Sequence, residues 1–260
     1  VGTWGHCRKL TSTMARFYVF ALAFGAATTL FTAAAAAQAS CSSDGAPRPT
    51  ALFERFISAD CEACWADPAT PAPSVPSTLV LDWIVPGTQG EDAPLAAAAS
   101  RDGLLRLEEL GRGVPTTTDV ATASVLRGQH HSHQRTQPLR VAHGLPMNDY
   151  LGTGIALRAT HAGRASTAGS WQYHLLLVES VPAGTEGTPV ARNLVRNMLS
   201  GTWNEREQLS KSEQTRSRFA WMDNRPMRIP EGAKAEQLHM VGWVQNAQGE
   251  VVAVARSACR

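Results

Sequence analysis

Two cysteines three positions apart, in the stretch Cys61-Glu62-Ala63-Cys64, are the residues of this chain best suited to chemistry. Such a pair can close a small disulfide ring, open it to a dithiol, and so pass two electrons to or from another thiol. Cys61 is the expected attacking thiolate, because a helix N-terminus supplies partial positive charge that lowers a thiol pKa, and Cys64 is the expected resolving thiol. Asp60 and Glu62 flank Cys61 and work in the other direction, since nearby negative charge raises the pKa of a thiol. A permanent structural disulfide is the competing reading, and it requires neither an exposed sulfur nor a stable thiolate.

A second constellation is His130-His131-Ser132-His133, with His143 downstream. Neutral imidazoles at this spacing suit copper or zinc, and the CxxC can add soft sulfur ligands. The same Gly/Gln/His-rich tract reads equally as a solvated surface loop, so no metal is assigned. No nucleophilic serine motif or phosphate-cradling loop accompanies these residues, and no cofactor is called for. Trp83, Trp171, Trp203, Trp221 and Trp243 read as packing residues.

The elements that must hold the cysteines come next. Ala51 to Ser58 is a strand-like run, and the prolines from Pro68 to Pro73 restrict the helix carrying the CxxC to a short one. Thr78 to Val85 is an almost continuous apolar run stopped by Pro86-Gly87, as in a strand buried on both faces. A helix is expected from Asp92 to Leu110 with Gly111 as its stop and Gly103 weakening its middle. Strand, CxxC, strand and helix is the opening order of a thioredoxin-like fold, which sets a cis-proline loop against its disulfide. Pro115, in Gly113-Val114-Pro115-Thr116, is the candidate for that position, although an ordinary trans-proline leaving a helix fits the same residues. Farther on, Gly154 to Ala159 and Trp171 to Val178 read as paired strands, Ala191 to Leu199 as a short helix, and Leu238 to Val244 with Glu250 to Ala255 as a terminal hairpin. The expected fold class is therefore α/β, a thioredoxin-like region over residues 48–135 with a β-rich C-terminal portion over 140–260.

Residues 14–39 read as a cleaved export signal: Met14-Ala15-Arg16 leads into an apolar run of about 15 residues, shorter than the ~20 that span a bilayer, and Ala37-Gln38-Ala39 offers a cleavage site. Residues 1–13 read as an upstream extension. Cys41 lacks the large aliphatic residue that precedes a lipid-attachment site. Export places the protein in the periplasm or outside the cell, where disulfides persist. Removing the leader also removes Arg8, Lys9 and Arg16 and leaves a net charge of about −1, which excludes a nucleic-acid binder; no later segment is long enough to span a membrane. Of the five cysteines, four remain after residue 39. Four cysteines allow three pairings; the short CxxC loop favours Cys61 with Cys64, which leaves Cys41 for Cys259.

Glu54 to Asp67, with the sequence ERFISADCEACWAD, resembles the opening motif E-L-F-T-S-Q-G-C-S-S-C-P-P-A-D of a secreted bacterial family, domain-of-unknown-function number twelve-twenty-three. Leu81-Asp82-Trp83 followed by Gly90, Asp92 and Pro94 is similar to a second stretch of that family, and Val241 to Asn246 with Gly249, Val251 and Ala253 is similar to its closing hairpin. The resemblance implies a thioredoxin-like domain with added β structure in an exported protein of Gram-negative bacteria, and no established reaction. Asp60 stands where that family has glycine, Glu62 and Ala63 replace two serines, and Trp65 replaces a proline.

The functional expectation is thiol–disulfide exchange with a thiol- or disulfide-bearing protein or a small thiol, carried by Cys61, Cys64 and Pro115. The alternative is a non-catalytic periplasmic binding or envelope-maintenance module with a structural disulfide.

Overall fold

The computed structural model describes residues 41–69, 77–126, 138–158 and 170–259. The expected upstream extension and export signal, and the His130, His131 and His133 cluster, lie outside the described residues.

Strands β1 (Cys41–Ser42) and β2 (Ala51–Ser58) precede helix α1 (Glu62–Ala66), which opens at the CxxC. Strand β3 (Thr78–Val85), helix α2 (Arg101–Glu109) and strand β4 (Thr118–Ser124) follow. The rest is mostly strand: β5 (Leu139–Met147), β6 (Tyr150–Arg158), β7 (Trp171–Val181), β8 (Arg192–Trp203), helix α3 (Lys211–Ser217), β9 (Phe219–Arg228), β10 (Leu238–Gln245) and β11 (Val251–Arg256). A seven-stranded sheet has the order β11-β10-β7-β8-β3-β2-β4, and a four-stranded sheet the order β1-β5-β6-β9. β2 runs parallel to β3, and β3 parallel to β8 through Asp82 and Leu194; the remaining pairs are antiparallel.

This architecture corrects the expected α/β, thioredoxin-like fold class. The described chain is predominantly β, with two sheets and three helices of five, nine and seven residues. The helices are short for identifiable reasons. Asp67, just ahead of Pro68, adopts an extended conformation and ends α1 after one turn. The segment expected to begin a long helix at Asp92 breaks instead into two 3-10 turns, Gly90–Asp92 and Ala96–Ala98, separated by extended Ala93 and a turn at Pro94. Helix proper starts only at Arg101, where the Ser100 hydroxyl accepts from the Asp102 amide as an N-cap. With so little helix to cover it, one face of the large sheet is closed in part by the second sheet.

Side-chain alternation divides the core accordingly. Leu175 and Leu177 of β7 and Met240 and Val244 of β10 face the small sheet and pack against Leu139, Val141, Ile155 and Trp221. Gly242 permits that approach, since a Cβ there would stand 2.7 Å from Val141 Cγ1 and 3.0 Å from Ile155 Cδ1. On the other face, Leu52, Phe56, Leu81, Trp83 and Trp243 meet Leu107 of α2. Gly103 is the residue that lets α2 settle here, because a Cβ would lie 2.6 Å from Val85 Cγ1. A third apolar cluster joins Trp65 of α1 to Ile57, Ile84, Val181 and Leu194.

Two sequence expectations change in the C-terminal half. Of the residues expected as a helix, Ala191 to Leu199, all but Ala191 belong to β8, where the Asn193 and Asn197 side chains donate to Val80 O and Arg228 O. β6 and β7, expected as a pair, lie in different sheets: β6 sits between β5 and β9, and β7 between β10 and β8.

Candidate functional site

The CxxC lies where β2 ends. Ala59 and Asp60 turn the chain out of the strand, Cys61 caps α1, and a disulfide joins Cys61 to Cys64 with their Cα atoms 5.3 Å apart. The backbone N–H of Cys64 is directed at Cys61 Sγ at 3.3 Å and at Cys61 O at 3.1 Å. That amide is a peptide donor to one sulfur of the pair. Both cysteines are partly exposed, and Glu62 and Ala63 between them are exposed.

Asp60 is engaged elsewhere. Its carboxylate accepts from Thr88 N at 2.7 Å, Thr88 Oγ1 at 2.9 Å and Gln89 N at 3.3 Å. Desolvation raises its pKa, but these donors outweigh that effect and hold it below the usual carboxylate range. The negative charge expected beside Cys61 is thus spread over a turn that follows β3.

The support beneath the disulfide comes from residues outside the four of the CxxC. Trp65 is only 4% exposed, and its Nε1 donates to Glu186 O at 2.6 Å. Arg192, at the start of β8 and 2% exposed, lays its guanidinium over the Trp65 ring, 5.2 Å from the centroid. Its Nη2 donates to Trp65 O at 2.9 Å and to Asp67 O at 3.2 Å, and its Nε to Thr188 Oγ1 at 3.2 Å. The helix-terminal carbonyls of α1 are in this way satisfied by a sheet residue. Asp82, fully buried in β3, supplies the counter-charge: Oδ1 accepts from Arg55 Nε at 2.7 Å and lies 3.7 Å from Arg192 Nη1, while Oδ2 accepts from Asn193 N at 2.9 Å. Burial pulls the pKa of Arg192 down, although Asp82 opposes that shift.

This assembly was only partly visible in sequence. Arg55 and Asp82 occupy matched positions in the parallel β2–β3 register, and two opposite charges inside otherwise apolar runs are the signal that could have paired them. Arg192 carried no such signal, since nothing local shows that it meets a helix 127 residues away.

Pro115 lies in the loop between α2 and β4. That loop reaches the CxxC end of β2 two residues later, where Ser58 N donates to Thr117 O at 2.8 Å. Fold and topology therefore bring Cys61, Cys64 and the Pro115 loop to one end of the large sheet.

His143 is placed elsewhere. It lies in β5 opposite Cys41 of β1, beside the second disulfide, Cys41–Cys259, whose Cα atoms are 4.1 Å apart. That pair joins the two ends of the described chain, as the cysteine count favoured, and it adjoins the bridge between Ser42 and Ala258.

No helix among the described residues is long and apolar enough to cross a membrane. No family model matches the sequence, and no curated protein matches it. Among solved structures, the chain is similar to an endonuclease/exonuclease/phosphatase from Beutenbergia cavernae at 9% identity and a TM-score of 0.27, over 55% of this chain and 30% of that one.

Proposed function

We propose that this is an exported protein whose Cys61–Cys64 pair exchanges disulfides with a protein or small-molecule thiol. The observation that carries the reading is the placement of the pair: two partly exposed cysteines on a single helical turn, with an amide donor on Cys61 Sγ and a buried arginine fixing the turn from behind.

In the reducing direction, the Cys61 thiolate attacks one sulfur of a partner disulfide. A Cys61–partner bond forms, the partner S–S bond breaks, and its electron pair leaves on the departing partner sulfur. Cys64, as thiolate, then attacks Cys61 Sγ, closes the Cys61–Cys64 bond and expels the second partner sulfur. Two electrons pass to the partner, and the two protons lost by the cysteine thiols balance those taken up by the partner thiolates. Run backwards, the same steps oxidise a partner dithiol. Arg192 and Trp65 are positioning residues in this scheme, because they hold the turn.

The test is stopped-flow exchange between the purified protein and a disulfide-containing peptide. Cys61→Ser is expected to abolish exchange, while Cys64→Ser accumulates the mixed disulfide on Cys61. Exchange at the wild-type rate in Cys61→Ser would overturn the proposal and leave the pair as a structural crosslink.

A further inference from the structure

The Cys41–Cys259 disulfide has an unusual neighbour. One ring nitrogen of His143 and the two sulfur atoms all lie within 4.8 Å of one another. His143 is 7% exposed, and its Nδ1 is 2.9 Å from Gly144 O. A carbonyl oxygen only accepts, so Nδ1 carries a proton, and in the neutral ring Nε2 carries the lone pair. Nε2 is buried, and among the described residues it has no hydrogen-bond partner. A buried imidazole nitrogen without a donor is costly unless something else completes it. A backbone carbonyl holding the opposite N–H is also how proteins fix the tautomer of a metal-binding histidine.

We propose that, once Cys41–Cys259 is reduced, Cys41, Cys259 and His143 bind a thiophilic divalent cation of the zinc class, so that the clasp between the two ends of the described chain is either a disulfide or a metal thiolate. The reductant is a dithiol: its two sulfurs join, and its two electrons and two protons pass to Cys41 and Cys259. Binding as thiolates then releases those two protons to solvent. The geometry suits this change. The sulfurs, bonded in the disulfide, part to ~3.8 Å when each lies ~2.3 Å from a tetrahedral zinc, and the imidazole nitrogen, already within 4.8 Å of both, comes to ~3.5 Å from each. Cys259 is exposed, which gives reductant and cation a path and leaves the fourth position to water.

The site differs in kind from the Cys61–Cys64 pair and stands whether or not that pair exchanges disulfides. The test uses the full chain carrying Cys7→Ser, Cys61→Ser and Cys64→Ser, so that the only thiols are Cys41 and Cys259. The protein is reduced, freed of reductant under argon and titrated with Co²⁺. The expected result is one Co²⁺ per chain, with a thiolate-to-cobalt charge-transfer band, tetrahedral visible bands and β-sheet circular dichroism retained or regained. His143→Ala should weaken binding at least about tenfold, with His143→Gln as the second variant should alanine not fold. No charge-transfer band, a band indifferent to both His143 variants, or a reduced chain that stays unfolded with cobalt present would each overturn the site.

Discussion

The Arg192 guanidinium donates to the carbonyl oxygen of Trp65 at 2.9 Å, so the first residue of a sheet strand holds the helical turn that carries the disulfide. Arg192 also shares the carboxylate of Asp82 with Arg55. The buried charges and the CxxC turn are therefore one mechanical unit.

Replacing Arg192 by methionine keeps most of the packing on Trp65 but leaves the α1 carbonyls without their donor and removes the positive charge 3.7 Å from Asp82 Oδ1. Breaking a buried ionic set in this way costs on the order of 3 kcal/mol, to be read as a lower urea midpoint. Arg192→Lys should recover only part of it, since an ammonium cannot fork onto two carbonyls and also donate to Thr188. A midpoint within error of wild type for the methionine variant would show that the turn does not depend on this contact.

The two disulfides should differ in what they do for stability. Cys41 and Cys259 are 218 positions apart, and the loop-entropy model gives about 5 kcal/mol for such a closure, against about 2 kcal/mol for the tight Cys61–Cys64 ring. Paired serine substitutions, compared by urea denaturation, should rank in that order. A larger loss from the Cys61–Cys64 variant would mark that pair as the structural staple.

The same contrast shows what the sequence disclosed and what it hid. β2, β3, β10 and β11 were readable because they are short, mostly apolar and bounded by turn residues. β8 was not, because Asn193, Arg196 and Asn197 resemble a helix face when their partners are unseen, and a register shift opposite Leu177 and Val178 breaks the alternation. Trp171 to Val178 was recognisable as a strand, but alternation says nothing about which strand lies beside it, and so the two-sheet arrangement was lost. The fold class failed for a related reason: a strand, a CxxC and a second strand specify a local order, whereas the helix needed to complete an α/β layer was cut by Gly90, Pro94 and Ser100. At the site, Cys61, Cys64 and the Cys41–Cys259 pairing could be inferred from spacing and count. Trp65, Arg192 and the placement of His143 required the tertiary structure.

Buried histidines set a pH dependence. Burial, then the charge of Arg256, pulls the pKa of His239 down to about 3, and burial lowers that of His174 against its hydrogen bond to Glu109. In the unfolded chain a histidine titrates near 6.5, so below that pH the unfolded state binds more protons. Stability is full above about pH 6.5 and declines as pH falls toward about 3, by about 1.4 kcal/mol per pH unit for His239 alone. Urea midpoints between about pH 7.5 and about pH 5, above most carboxylate titration, should fall less steeply in His239→Gln. Equal slopes in the two proteins would remove His239 from this account.

Gly242 tests the packing of the two sheets. Alanine would bring a methyl group 2.7 Å from Val141 Cγ1 and 3.1 Å from the His174 carbonyl oxygen, and the backbone contact cannot turn away. Such overpacking costs about 1 to 3 kcal/mol. Thermal denaturation of Gly242→Ala should show a lower midpoint, and an unchanged midpoint would mean that the sheets can separate without loss.

The reduction potential of Cys61–Cys64 tests the central claim most directly. The protein is equilibrated in a graded series of glutathione buffers, thiols are trapped by alkylation, and the oxidised fraction of the Cys61–Cys64 peptide is read by mass spectrometry. Disulfide exchange predicts a potential between about −200 and −120 mV; a value below about −300 mV would contradict it, because a disulfide that stable remains closed in the presence of the thiols it is proposed to serve.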